Sequence, residues 1–198
     1  MRIRLHRCAI AALRFFTLAL VSSAAAVAQQ QSFVLDPAKT TVSFSLDAAL
    51  HTVHGTFKAT RGNVLFDPIS GLASGSIFVD TTSGDTGNGM RDHKMHKEVL
   101  ESDTFPEIKF SPTRITGMVA NGSTLQMEGI FRIHGVDHPI TMSVPLEMNG
   151  DEILSAKLHF QVPYVAWGMK NPSTLILRVS KEVDVEVVAA GRVQKQPN

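Results

Sequence analysis

Eight histidines run through this 198-residue chain, and two pairs of them, His51/His54 and His93/His96, stand at the H-x-x-H spacing. Imidazoles three residues apart on a helix share a face, so the second pair could supply two ligands to a zinc-type metal. Such a site needs a third or fourth ligand, and His134 and His138 are candidates that no spacing ties to either pair. The H-E-x-x-H arrangement, with its built-in general base, is absent. In a strand His54 would point outward, because Gly55 and Phe57 set the inward face. The pairs therefore read first as solvated surface histidines. The alternative is a metal-dependent hydrolase using His93/His96 or His51/His54.

Other reactive groups are poorly placed. No serine stands in a G-x-S-x-G elbow, and the carboxylates Asp92, Glu98, Glu101 and Asp103 lie where surface charge is expected. The stretch Gly84-Asp85-Thr86-Gly87 lacks the lysine and the strand-to-helix context of a phosphate loop. The charged run Arg91-Asp92-His93-Lys94 with His96-Lys97-Glu98 reads first as the solvated face of a helix with (i, i+3) and (i, i+4) pairs. Its functional alternative is an anion or headgroup contact at the mouth of a barrel. Arg91-Asp92, at the start of that helix, can pin the loop beneath it.

The beginning of the chain sets the compartment. Arg2, Arg4 and Arg7 precede an apolar stretch from residue 8 to 21, broken by Arg14, and Ala26-Val27-Ala28 follows. That is the layout of a secretory signal peptide over 1–28, with the mature start at Gln29. An uncleaved anchor is the weaker alternative, because the apolar run falls short of the roughly 18 residues that span a bilayer. The remaining 170 residues suit one domain. Four of the nineteen basic residues and none of the acids lie in the leader, leaving 15 against 18 and a net charge of −3. With no Lys/Arg run, this balance supports neither a nucleic-acid partner nor stable insertion into a membrane. The sole cysteine, Cys8, leaves with the leader, so the mature chain has no disulfide and no thiol nucleophile.

Period-2 alternation dominates the mature chain. It runs through Val42-Phe44-Leu46, Val53-Gly55-Phe57-Ala59, Leu125-Met127-Gly129-Phe131-Ile133, Ile140-Met142-Val144-Leu146-Met148, Ala156-Leu158-Phe160 and Val183-Val185-Val187. Asp67-Pro68, Ser70-Gly71, Asn121-Gly122, Gly135-Val136-Asp137 and Asn149-Gly150-Asp151 punctuate the runs as turns. The fold class is all-β: an antiparallel meander of about eight strands, closed into a barrel to remove its edges, with an open sandwich as alternative. A homodimer stays open, to be decided by whether a strand edge is exposed. One helix is expected over residues 88–100, where Met90, Met95, Val99 and Leu100 fall near helical spacing. A turn-rich loop over 81–87 precedes it, and the tail 191–198 is expected to fray.

The large apolar residues on the inward parity are Phe44, Phe57, Phe110, Met127, Phe131, Met142 and Phe160. An eight-stranded barrel holds either such side chains or one ligand, and methionines suit a wall that adapts to a chain-like ligand. Period alone leaves a filled core and a lined cavity both open.

The order of landmarks resembles the YceI-like family of exported polyisoprenoid-binding proteins. The likeness covers residues 33–189 and is carried by Phe33-Val34-Leu35-Asp36, His54-Gly55-Thr56-Phe57, Met90-Arg91-Asp92, Phe105-Pro106-Glu107-Ile108-Lys109-Phe110, Glu128-Gly129-Ile130-Phe131 and Trp167-Gly168-Met169-Lys170. The resemblance implies an eight-stranded lipocalin-like barrel over 29–190 with one short helix near its mouth. It also implies an apolar tunnel for a quinone- or polyprenyl-type lipid, no catalytic residue, and no cofactor besides that lipid. It places Met90, Val99, Leu100, Phe105 and Trp167 among the contacts. The chain departs from the family in having few aromatics before Phe105, which leaves the identity of the lipid open. A third reading makes the barrel purely structural, in a stress-related interaction module.

Overall fold

A computed structural model describes residues 30–174 and 178–195; the expected signal peptide lies outside them. Nine strands follow the chain: β1 (Gln31–Leu35), β2 (Thr41–Asp47), β3 (Thr52–Phe66), β4 (Ala73–Asp85), β5 (Glu107–Thr116), β6 (Thr124–Ile133), β7 (Val136–Asn149), β8 (Glu152–Val162) and β9 (Val183–Lys195). Each pairs antiparallel with its sequence neighbour from β2 to β9, and β9 returns to β2. The ring closes on eight staves because β1 and β2 share one. β1 pairs with residues 63–66 of β3, and β2 continues the same stave along residues 52–57. Among the described residues, every stave has two hydrogen-bonded neighbours, so none offers a second copy a free edge along its length.

Alternation builds the inner wall where the sequence shows it. Val42 and Phe44 on β2, Leu125, Phe131 and Ile133 on β6, and Met142, Val144 and Leu146 on β7 are all buried. In β3 the parity shifts at a bulge between Ala59 and Arg61, after which Val64 and Phe66 take over the inside. The turn at His134-Gly135 has φ of 51° and 76°, the left-handed pair that a two-residue hairpin needs, one residue ahead of the expected position.

Two expectations are corrected. Residues 81–85 are strand, not loop: Thr56 registers with Asp85, and the Lys58 amide donates to Ser83 Oγ. Their small polar side chains carry no period, and pairing with β3 overrides local turn preference. Gly191 to Lys195 do not fray, because β9 runs on against β1. The helical segment is α1 (Gly89–Lys94) followed by a single π turn (Met95–Val99). Asn88 caps α1 by accepting from the Arg91 amide at 3.1 Å.

The two longest connections, the helical segment and the loop over 163–182, gather at one end of the barrel with the turns at 48–51 and 134–135. The opposite end has only the connections at 67–72, 117–123 and 150–151. No helix among the described residues is long and apolar enough to cross a membrane.

Candidate functional site

The two ends differ inside. At the short-turn end Phe33, Leu35, Phe66, Ile115, Leu125, Met142, Val144, Leu146 and Ile153 interlock as a filled core. Above them the staves enclose a cavity of about 500 Å³ with almost entirely apolar walls. Val42, Val53, Val185 and Val187 form one side, and Ile108, Ile133 and Val162 form the other. Met90, Met95, Val99 and Leu100 roof it from the helical segment, and Pro172 and Val179 reach in from the 163–182 loop.

Seven of the candidate contacts line this space: Phe44, Phe57, Met90, Val99, Leu100, Phe131 and Phe160. Their rings pair along the wall, Phe44 with Phe57 at 5.4 Å and Phe131 edge-on to Phe160 at 5.6 Å. Met90 stands at the rim, 85% exposed. The other five lie off the cavity. Met142 is part of the filled core, Met127 packs against it, and Phe110 sits between the two regions with its ring over Gly129. Phe105 covers Gly135 and the His134 ring. Trp167 stacks flat on His138 at 3.9 Å and reaches Phe131 at 5.9 Å from outside the lining.

The roof is fastened to the barrel by hydrogen bonds. Thr86 donates from its amide and its hydroxyl to the Asp92 carboxylate. Arg91 donates back to Thr86, from Nε to the hydroxyl at 2.8 Å and from Nη2 to the carbonyl at 2.9 Å. The Arg91-Asp92 pair thus pins the loop in front of the helix, as its position suggested. His96 lies between Gly84 O, to which Nε2 donates at 2.9 Å, and Ser102 Oγ, 3.0 Å from Nδ1. Two links cross to the 163–182 loop: Lys94 Nζ donates to the Pro172 carbonyl at 2.9 Å, and Lys170 pairs with Glu98 at 2.6 Å. The Lys170 ammonium holds the Glu98 carboxyl below its ordinary range, by hydrogen bond first and charge second.

The charged run therefore divides. His93, Lys97 and Glu98 face water, whereas Arg91 and Lys94 are half-buried and line the cavity. The run reads first as a solvated face; Lys94 follows its alternative, a contact at the barrel mouth, and its three-residue offset from Arg91, which puts both on one helix face, was the available signal. Tyr164, the sole tyrosine, was also missed. It is buried in the wall, its hydroxyl donates to the Ser180 carbonyl at 2.7 Å, and burial raises its pKa.

The histidines are dispersed. His54 points outward and bonds Ser45 at 2.9 Å, His134 pairs with Glu101 at 2.7 Å, and His138 lies under Trp167. Both ring nitrogens of His96 are engaged, while His93 is exposed. Among the described residues no three His, Cys, Asp or Glu side chains converge to hold a metal ion.

Comparison with known proteins agrees with this architecture. A model of the YceI-like domain matches residues 33–190. Protein YceI of Shigella flexneri is 29% identical over 150 residues, covering 72% of this chain and 75% of that protein. Protein YceI of Salmonella newport is 29% identical over 142 residues, covering 69% and 73%. Among solved structures, BcnA of Burkholderia cenocepacia superposes with a TM-score of 0.64 at 22% identity, over 79% of this chain and 98% of its own. A polyisoprenoid binding domain from Saccharophagus degradans superposes with a TM-score of 0.64 at 15% identity, over 82% and 98%. At these identities the two structural likenesses concern the fold.

Proposed function

The chain belongs to the YceI-like domain family, and on that premise we propose that it is a binding protein, not an enzyme, that holds a long-chain isoprenoid lipid in its barrel. The observation that carries this reading is the apolar cavity of about 500 Å³ under the helical roof. That volume falls within the roughly 300–1,000 Å³ of ordinary ligand sites. Each methylene an isoprenoid tail withdraws from water contributes about 0.8 kcal/mol, so a closed wall lets such a molecule persist in an aqueous compartment. The polyisoprenoid binding domain of Saccharophagus degradans, built on the same fold, supports the choice of ligand class.

The contacts proposed are Phe44, Phe57, Met90, Val99, Leu100, Phe131 and Phe160. Phe110, Met127 and Met142 set the floor beneath the tail, and Phe105 and Trp167 brace the walls from outside. The basic and apolar leader with its Ala26-Val27-Ala28 site supports export, and the periplasm is the proposed compartment. The protein there would carry or store the lipid.

The test is native and denaturing mass spectrometry with organic extraction on protein purified from its exported location. A stoichiometric isoprenoid is the expected result. Lipid-free protein carrying a stoichiometric metal would overturn the proposal in favour of histidine-based hydrolysis.

A further inference from the structure

We propose that the lipid is anionic at its head, with a phosphate-type group seated on Arg91 and Lys94 at the cavity mouth while the tail occupies the apolar interior. This deepens the lipid-binding reading and rests on it.

Among the described residues lining the cavity, Arg91 and Lys94 carry the fixed charges, and no aspartate or glutamate lines it. Elsewhere Lys39, Arg61, Lys97, Arg132 and Lys170 each have a carboxylate within ion-pair distance. Among the described residues no carboxylate lies within ion-pair distance of Arg91 or Lys94; Asp92 reaches Arg91 only through the shared Thr86 hydroxyl. Glu98, four residues beyond Lys94 and a natural helical partner for it, bonds Lys170 instead and feels the Lys94 charge only at longer range.

Their bonding capacity is also incomplete. Arg91 uses Nε and Nη2 on Thr86, which fixes the guanidinium plane, and among the described residues Nη1 has no partner. Lys94 gives one of its three protons to the Pro172 carbonyl. Both groups are held by neutral oxygens, so an incoming anion finds donors already ordered and loses little to ordering them. Charge–charge attraction is stronger beside an apolar wall than in open water. A neutral quinone head would leave both cations without a directly bonded anion, whereas a phosphate ester would bond them together.

The experiment compares two probes with the same tail, geranylgeranyl monophosphate and geranylgeraniol, at low salt. Trp167 is the only tryptophan and touches the wall residue Phe131, so its fluorescence reports binding. The phosphate is expected to bind at least about tenfold tighter, or about 1.4 kcal/mol. Lys94→Gln, which can still donate to the Pro172 carbonyl, should bring the ratio of the two affinities toward one. A thermal melt run alongside verifies that the variant is folded, and Arg91→Lys gives a second variant with the charge kept and the fork removed.

Equal affinities for the two heads in the wild type, or an unchanged ratio in Lys94→Gln, would overturn the anionic-head assignment and leave lipid binding standing. Failure of both probes to bind would remove the lipid reading and this assignment with it. Inorganic phosphate serves as competitor: displacement of the lipid only at large excess supports a headgroup seat, whereas tight binding of phosphate alone would make this a free-anion site.

Discussion

The two halves of the barrel are made from the same alternating strands, yet one is solid and the other hollow. In the solid half β7 contributes Val144 and Leu146, 1% and 2% exposed, to one core with Phe33, Phe66, Ile115 and Ile153. In the hollow half β9 contributes Val183, Val185 and Val187, all facing the cavity. Large rings are present there too, but they lie along the wall. Phe44 covers Gly55 so closely that a Cβ on Gly55 would stand 2.4 Å from the ring, and Phe57 covers Gly84 at 2.6 Å. Glycine under the ring lets an aromatic side chain serve as wall instead of filling. Cavity size in this barrel is thus set by what lies beneath the aromatics as much as by the aromatics themselves.

The hollow half is most vulnerable at Phe131. Phe131→Arg places a charge in the apolar wall, where burying it unpaired is costly, and bound lipid in the extraction assay should fall below detection. Circular dichroism on the same sample checks that the barrel remains. In the solid half, Leu146→Ala should lower unfolding free energy by about 2–5 kcal/mol in urea titration, with lipid per folded molecule unchanged. A ligand loss matching that at Phe131 would mean the halves are not separable. Gly55→Ala should have the smallest effect and join both readouts. The Phe44 ring has to move off the wall and the Asp85 carbonyl, 2.8 Å from the new Cβ, has to shift as well, which costs about 1–3 kcal/mol as overpacking and should reduce the affinity for a long-tailed probe. A variant with reduced stability and undiminished affinity would show that the ring does not turn inward.

Much of the wall could be read from the chain. Phe44, Phe131 and Phe160 lie on clear alternating runs, and the structure puts all three on the cavity. Met127 and Met142 lie on runs just as clear but end in the filled half, because parity gives the face of a residue and not its height along the axis. β4 was hidden because Ser74, Ser76, Thr81, Thr82 and Ser83 carry no apolar period; its neighbours β3 and β5 make it a strand. Lys94 looked like a surface cation because a single stretch of sequence does not reveal the loop, with Pro172, that packs across it.

Local patterning alone was enough to specify the class of this protein: period-2 alternation, turn residues and one capped helical segment require antiparallel strands with a single insertion, since those signals depend only on near neighbours. The remaining features arise in three dimensions. Closure on eight staves, the split between a filled floor and an open chamber, and the arrival at its mouth of two cations without an ion-pair partner among the described residues all depend on residues far apart in the chain. Such contacts form only when the ring closes, and no local pattern encodes the distance across it.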